Sequence, residues 1–309
     1  MKRNIYICSK PLQYFNLRNI KYENGEAEKI LIIHGRFIDA KRFFEQVQVL
    51  DKDWDRIVFV DSWTKLYTFL FFHPAGNVFA EIDKSFVYGI FHLLFRFRRF
   101  YIFEEGFGSY RTDRIDESRG LKRLINRITG VGKHVGFSSF LTGQYLYLPE
   151  LYKKQFPNYP KPVYTFSKPF VERMIQELPL FLQLSDGYEE FLHYQGKKIA
   201  ICLTNHVLNP RLIGCLLEAK PRFDVVFIKP HPHLKDLNIF EQYNLPIVRS
   251  NIMVEFLLTL LLKNENQLTV FHENSTSVIW FQNKLESVNR GEPLEAYNIV
   301  ADYIKENIQ

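Results

Sequence analysis

Short apolar runs alternate with stretches of helical periodicity along the whole chain. The apolar runs predict buried strands at 4–8, 29–33, 56–60, 78–80, 100–103, 145–148, 198–202, 224–228 and 268–271. Apolar residues spaced three and four apart predict helices at 37–50, 64–72, 85–97, 121–128, 209–219, 255–263, from 278, and at 294–307. This alternation predicts parallel βαβ units, and we expect an α/β protein with two Rossmann-like domains facing each other across a cleft.

A run of prolines marks the predicted domain boundary. Five prolines fall between residues 149 and 169, and proline-rich segments of this kind are typical of linkers. We therefore expect a first domain over 1–155 and a second over 156–309. The last predicted helix, 294–307, is a candidate to pack back on the first domain.

Two adjacent carboxylates follow the predicted strand 100–103. Glu104 and Glu105 come first, and Gly106 and Gly108 then allow a tight turn. Ligands of open α/β sheets bind beyond the carboxyl ends of the strands. Neighbouring like charges raise the pKa of one carboxyl group, which suits a general base. The alternative is a solvated turn that carries two surface glutamates.

A second polar segment, Lys229-Pro-His-Pro-His233, follows the predicted strand 224–228. A cation and imidazoles at a strand end suit a phosphate group, and a histidine can donate a proton to a leaving phosphate. The alternative is a proline-stiffened surface loop in which His231 has a structural role.

Hydroxyl groups follow the predicted strand 268–271. Ser275, Thr276 and Ser277 stand between this strand and a helix, where hydroxyls and free N–H groups can bind an anion. Helix capping by Ser275 or Thr276 explains them equally well. Near the start of the chain, Gln13 lies at the mouth of the first predicted strand, in the loop Ser9-Lys-Pro-Leu-Gln13.

Composition narrows the class of protein. The chain has 309 residues, 46% of them hydrophobic, and a net charge of +6, which favours an anionic partner. Three cysteines fit neither a disulfide framework nor a metal site, so we expect no metal, no cofactor and a cytoplasmic location. We find no nucleic-acid-binding module and expect no nucleic-acid partner. We also predict neither a signal peptide nor a transmembrane span.

Basic residues are concentrated in two segments, 91–100 and 111–133. The first mixes bulky apolar residues with Arg96, Arg98 and Arg99, and it either lies on an anionic membrane face or forms a buried helix with a basic end. The second is either a lipid-facing or an acceptor-facing surface. A peripheral contact with the inner membrane is therefore a candidate.

Together these segments resemble the bacterial GT-B sialyltransferases of lipooligosaccharide and capsule. Three motifs carry the resemblance: Glu104-Glu105-Gly106, His231-Pro232 and Ser275-Thr276-Ser277. The opening loop Ser9–Gln13 is similar to the first loop of the lipooligosaccharide enzymes, with lysine in place of threonine.

The resemblance implies an inverting, metal-independent transferase. It would move a nonulosonic acid (sialic, pseudaminic or legionaminic acid) from a CMP donor to a surface glycan. Glu105 would be the base, with Glu104 secondary, and His231 would assist the leaving phosphate. Lys229, Pro232, the three hydroxyl residues Ser275, Thr276 and Ser277, Gln13 and Gly106 would bind the donor. The first domain would face the acceptor and the second would bind the CMP-sugar.

Two alternatives stay open. One is a GT-B transferase that uses a UDP- or GDP-sugar. The other is a non-catalytic capsule-assembly protein that keeps the fold.

Overall fold

The computed structural model describes residues 3–20, 27–113, 118–205, 207–231, 234, 236–249 and 251–308. The chain divides into two compact units, Met1–Pro169 and Phe170–Gln309. Each unit has its own parallel β-sheet with helices in the connections, which confirms the predicted α/β class with two Rossmann-like units. The division falls later in the chain than the boundary we predicted at 155/156.

The first unit is built on a seven-stranded sheet with the order β3-β2-β1-β4-β5-β6-β7. Its strands are β1 Arg3–Cys8, β2 Glu28–His34, β3 Arg56–Val60, β4 Ala75–Ala80, β5 Phe97–Phe103, β6 Leu141–Leu146 and β7 Val163–Thr165. Its helices are α1 Pro11–Arg18, α2 Ala40–Leu50, α3 Trp63–Phe72, α4 Phe86–Leu93, α5 Gly120–Ile128 and α6 Pro149–Gln155.

The strand order reverses next to β1. The chain moves outward from β1 to β3, crosses back to place β4 on the other side of β1, and continues to β7. Ile5 of β1 therefore pairs with Ile30 on one side and with Val78 on the other. All three are buried, as expected for strands covered on both faces. In sheets of this type, ligands bind at the carboxyl edge where the order reverses, here between β1 and β4.

The proline-rich segment 149–169 is not a linker. Pro149 opens α6, and β7 pairs with β6 through Gln144 and Val163. Proline is tolerated in the first turn of a helix and beside an edge strand, and β7 is the edge strand. The segment therefore belongs to the first unit.

Helix α4 is shorter than the predicted helix 85–97. It ends at Leu93, and Phe95 takes a left-handed conformation with a φ of 54°. A bulky residue is uncommon at positive φ, and here it turns the chain into β5, which begins at Phe97.

The second unit is built on a four-stranded sheet with the order β11-β10-β8-β9. Its strands are β8 Lys198–Leu203, β9 Val225–Lys229, β10 Gln267–His272 and β11 Glu286–Asn289. Its helices are α7 Phe170–Leu184, α8 Pro210–Ala219, α9 Val254–Lys263, α10 Thr276–Ile279 and α11 Glu295–Asn307. Here β8 lies between β9 and β10, so the strand order reverses between β8 and β10.

Candidate functional site

The carboxyl edge of the first sheet gathers polar side chains where the strand order reverses. Ser9 follows β1 directly, Glu81 follows β4, and Glu105 comes two residues after β5. Lys10 and Gln13 join them from the start of α1. We call these five residues the acid cluster: Ser9, Lys10, Gln13, Glu81 and Glu105.

Glu105 is the accessible carboxylate of the acid cluster. Its side chain is 34% exposed, and its Oε1 forms an ion pair with the Nζ of Lys10. The Nε2 of Gln13 donates to the same oxygen at 3.2 Å. The Oε1 of Gln13 in turn accepts from the backbone N–H of Ser9 at 2.6 Å, which fixes the orientation of the amide. Lys10 and Gln13 thus fix the position of the Glu105 side chain.

Glu81 is the second carboxyl group of the acid cluster, and sequence reasoning missed it. The Oγ of Ser9 donates to its Oε2 at 2.9 Å. Burial raises the pKa of Glu81, and the charge of Glu105 raises it further. The only sequence signal was its place directly after a short apolar run, 78–80. The cluster therefore pairs a lysine-bound carboxylate with a carboxyl group that holds its proton to higher pH.

Glu104 lies beneath the acid cluster and is only 1% exposed. Its Oε2 accepts from the hydroxyl of Tyr110, and from the backbone N–H of Tyr147 at 2.8 Å. The Nδ2 of Asn16 donates to its carbonyl oxygen at 2.8 Å. Burial raises the pKa of Glu104 to about 8 despite these hydrogen bonds. Glu104 therefore ties α1, β5 and the segment after β6 together.

Gly106 follows Glu105 with a φ of 74°, a conformation that favours glycine. It starts the 3₁₀ helix Gly106–Tyr110, which brings the Tyr110 hydroxyl back to Glu104. The backbone N–H of Glu105 donates to the Oγ of Ser109 at 3.2 Å. The turn at Gly106 thus fixes the backbone that carries Glu105.

The carboxyl edge of the second sheet has a carboxylate where its strand order reverses. Glu273 follows β10 and accepts from Nδ2 of Asn205 at 3.2 Å and from Nδ2 of Asn209 at 2.6 Å. Asn205 follows β8, and Asn209 caps α8. The two amides thus fix the Glu273 carboxylate beside the carboxyl ends of the neighbouring strands β8 and β10.

His231 lies at the same edge, after β9. Its backbone N–H donates to the Oγ1 of Thr204 at 3.2 Å, which links the ends of β8 and β9. Pro232 and His233 of the predicted segment lie outside the described residues, as does His206 of the loop after β8. The structure thus places His231 at the strand end that the sequence predicted.

The polar groups of Lys229 and Ser277 are bound to partners within the second unit. Lys229 is buried, and its Nζ donates to the carbonyl oxygen of Arg249 at 3.0 Å. Burial lowers its pKa to about 8, although the charge of Glu255 raises it. The Oγ of Ser277 donates to the Oε1 of Glu255 at 2.6 Å. Burial raises the pKa of Glu255. The Ser277 hydroxyl thus binds Glu255, and Lys229 acts on the same carboxyl group through its charge.

Ser275 and Thr276 differ from Ser277. Ser275 is the N-cap residue of α10, yet its side chain makes no capping hydrogen bond. Its backbone N–H donates to the Nδ1 of His272 at 3.2 Å, and the Nε2 of His272 lies 2.7 Å from Ser287 Oγ. Burial lowers the pKa of His272 to about 4, so its ring is neutral near pH 7. The hydroxyls of Ser275 and Thr276 are half-buried, and they are the better anion-binding candidates of the three.

Within the described residues, no group of three or more His, Cys, Asp or Glu side chains could hold a metal ion. The expectation that the protein needs no metal or cofactor stays a prediction. In the same part of the chain, no helix has both the length and the apolar character that crossing a bilayer would take.

Comparisons with solved structures give matches over the whole chain. The UDP-GlcNAc 2-epimerase of Methanocaldococcus jannaschii, in complex with UDP-GlcNAc and UDP, is 13% identical with a TM-score of 0.57, covering 100% of this chain and 94% of that one. The epimerase of Rickettsia bellii is 14% identical with a TM-score of 0.56, covering 99% and 88%. The Neisseria meningitidis epimerase bound to UDP-GlcNAc is 12% identical with a TM-score of 0.52, covering 99% and 92%.

At these identities the similarity shows the fold. No protein-family model matches the sequence, and no curated protein matches it either.

The structural comparisons overturn the resemblance to sialyltransferases, because the similar structures are UDP-GlcNAc 2-epimerases. The predicted transfer of a nonulosonic acid from a CMP donor to a surface glycan is therefore wrong as well. The motifs misled because each is short and stands at the carboxyl end of a parallel strand. Any two-unit fold of this kind places polar residues there, whatever nucleotide it binds.

Proposed function

We propose that this chain is an enzyme that acts on a UDP-sugar through proton transfer by the acid cluster. The observation that carries the proposal is the pairing of Glu105 with Glu81 at the point where the first sheet reverses its strand order. The UDP-sugar is inferred from solved structures of the same fold that contain UDP-GlcNAc or UDP. The same nucleotide class was one of the two alternatives that the sequence left open.

The two carboxyl groups suit opposite halves of a proton transfer. Glu105 is paired with Lys10, partly exposed, and able to accept a proton. Glu81 has a raised pKa and can donate one. Environments that separate two carboxyl groups in this way are typical of acid–base pairs. Gln13 and Ser9 connect the two groups, so their spacing is set by the protein and not by the substrate.

The second unit offers groups for the nucleotide. Glu273 lies where the second sheet reverses its strand order, and an acidic residue near such a point commonly accepts hydrogen bonds from ribose hydroxyls. The hydroxyls of Ser275 and Thr276 and the strand end at His231 suit the diphosphate. Lys229 and Ser277 bind protein groups near this edge, the Arg249 carbonyl oxygen and the Glu255 carboxyl group respectively.

The first test is nucleotide binding by the purified chain. Calorimetry with UDP, GDP and CMP should give the lowest Kd for UDP, with a preference over CMP of about 10-fold or more. An equal or stronger response to CMP would contradict the proposed substrate. A matched Glu273→Ala variant should lose affinity for all three nucleotides alike, because the proposed partner of Glu273 is the ribose, which all three contain.

The second test identifies the reaction. With UDP-GlcNAc in D₂O, an epimerase that removes and returns the C2 proton would introduce deuterium at C2, visible by NMR. A glycosyltransferase would leave C2–H intact and release UDP only when a hydroxyl acceptor is added. The transferase is the second candidate, because the partly exposed Glu105 could accept the proton of an acceptor hydroxyl. Binding of UDP without either reaction would contradict the role of the acid cluster.

A further inference from the structure

Helix α5 exposes its apolar stripe to solvent, and its basic residues are exposed beside that stripe. Leu121, Leu124 and Ile128 are 72%, 53% and 66% exposed. Asn126 and Thr129 are buried, at 7% each. A helix on the surface of a globular protein normally turns its apolar stripe toward the core. In α5 this arrangement is reversed.

The polar contacts of α5 are local ones made by Asn126, and the contact with α4 lies at the end of the helix. The backbone N–H of Val131 donates to the carbonyl oxygen of Asn126 at 2.8 Å, and the Nδ2 of Asn126 donates to Ser118 at 3.3 Å. Gly89 of α4 lies directly against the end of α5. A Cβ at Gly89 would come within 2.7 Å of the Thr129 Cβ, and closer still to its carbonyl oxygen. Helix α5 is therefore packed against α4 at its carboxyl end, at the C-cap residue Thr129.

The neighbouring end of α4 is also apolar and exposed. Leu93, Leu94 and Phe95 are exposed there, and Phe95 is 80% exposed. The Arg96 guanidinium lies 4.6 Å from the centroid of the Phe71 ring, at the end of α3. We call the exposed apolar residues of α5 and of the end of α4, with the basic residues around them, the apolar–basic surface.

The two chain segments that form this surface carry basic residues and no acidic ones. Residues 84–103 and 118–148 contain no Asp or Glu. Their basic residues are Lys84, Arg96, Arg98, Arg99, Arg119, Lys122, Arg123, Arg127 and Lys133. Lys122, Arg123 and Arg127 are exposed and lie on α5 itself, beside its apolar stripe. Exposed apolar side chains flanked by Lys and Arg are the combination that binds at the surface of an anionic membrane.

We propose that the apolar–basic surface docks the protein on an anionic lipid membrane. A second copy of the chain fits less well, because a two-fold interface would place each basic residue against the same surface of its partner. Lipid phosphates supply the opposite charge, and the acyl region accepts the stripe Leu121, Leu124 and Ile128. The helix would lie in the membrane surface and not cross it.

Docking would leave the acid cluster uncovered within the first unit. Leu93, Leu94 and Phe95 lie before β5 and so at the amino-terminal edge of the sheet. Glu81 and Glu105 follow the carboxyl ends of β4 and β5. The α4 part of the lipid contact and the acid cluster are therefore at opposite ends of the same strands, and the proposal does not depend on the proposed enzyme activity.

Vesicle co-sedimentation of the full chain tests the proposal. The chain should bind vesicles of phosphatidylglycerol and phosphatidylcholine in equal parts, and bind phosphatidylcholine alone ~10-fold more weakly. Binding should weaken as salt is raised. Equal binding to both vesicle types, or no binding to either, would overturn the proposal.

Two variants and a matched control locate the contact. A Leu121→Glu/Leu124→Glu double variant should bind the anionic vesicles ~10-fold more weakly or worse, and a Lys122→Gln/Arg123→Gln/Arg127→Gln variant should behave alike. Val49 of α2 is 69% exposed and belongs to the same unit, so Val49→Glu should bind like the parent. A double variant that binds like the parent would overturn the proposal. So would a parent chain that dimerises through α5 without lipid.

Discussion

Glu104 and Glu105 are neighbours in the chain but lie in opposite environments. The side chain of Glu105 is 34% exposed and paired with Lys10, whereas Glu104 is 1% exposed and accepts from Tyr110 and from the backbone of Tyr147. The turn that begins at Gly106 follows both residues. Glu104 is bound on both sides by the protein, and the proposed function assigns proton exchange to the partly exposed Glu105.

Replacing Glu105 with glutamine should remove activity and preserve the fold. We expect kcat to fall ~100-fold or more, because the base is lost while the hydrogen bond from Gln13 can be kept. UDP affinity and Tm should change little. Glu150→Gln is the matched control, because Glu150 is an exposed glutamate of the same unit that is also paired with a lysine. Equal loss in both variants would contradict the assignment.

Glu104 should make the stability of the first unit depend on pH. The unfolded chain releases this proton near pH 4.5, whereas the folded chain holds it to about 8 because the group is buried. Between these values the folded state binds the extra proton, so stability falls as pH rises, by an amount on the order of 2–4 kcal/mol. In Glu104→Gln this part of the dependence should vanish. Urea unfolding at several pH values measures it, and Glu150→Gln should keep the parent slope.

Glu273 should recognise the ribose of the nucleotide. Glu273→Ala should weaken UDP binding by about 10-fold, since hydrogen bonds to a charged group contribute roughly 1.5–3 kcal/mol. The parent should prefer UDP over its 2′,3′-dideoxy analogue, and the variant should bind both alike. Glu286→Ala, on β11 of the same sheet, is the control. A variant that still prefers UDP would place the ribose elsewhere.

Lys229 and Glu255 should act in stability and not in phosphate binding. Burial lowers the pKa of Lys229 and raises that of Glu255, and the charge of each residue opposes the shift of the other. Removal of one residue leaves the other buried without that opposing charge. Lys229→Met should cost about 3–5 kcal/mol, and Lys229→Met/Glu255→Leu should cost less. Lys198→Met, an exposed position on β8, should have a small effect. A Lys229→Met chain of normal stability with ~10-fold weaker UDP binding would instead restore the phosphate role.

Most strands could be predicted because their apolar runs end sharply at polar residues. The predicted ends at Cys8, Val60, Ala80 and Phe103 coincide with the ends of β1, β3, β4 and β5. Strand β7 and helix α6 were missed because their prolines indicated a linker. The spacing of α5 gave its helical conformation, but no periodicity shows which side of a helix meets the protein.

The positions of some candidate residues were predictable, whereas their roles stay predictions. Glu105 and His231 follow strand ends as expected, and Gln13 lies in the first turn of α1, after β1. The environment of a side chain is set by distant segments, and sequence alone does not show it. Ser277 donates to Glu255, and Lys229 donates to the carbonyl oxygen of Arg249. In both pairs the two residues are far apart in the sequence. The raised pKa of Glu81 likewise has its cause in distant segments: burial first, and then the charge of Glu105.

Because Gly89 has no Cβ, α4 and the end of α5 can approach each other closely. An alanine there would require α5 to move away from α4, while every residue of the apolar–basic surface kept its identity. Gly89→Ala therefore offers a way to alter lipid attachment without touching a basic or apolar side chain. In a cell, such a variant would change the attachment of the protein to a membrane and leave the residues of the acid cluster in place.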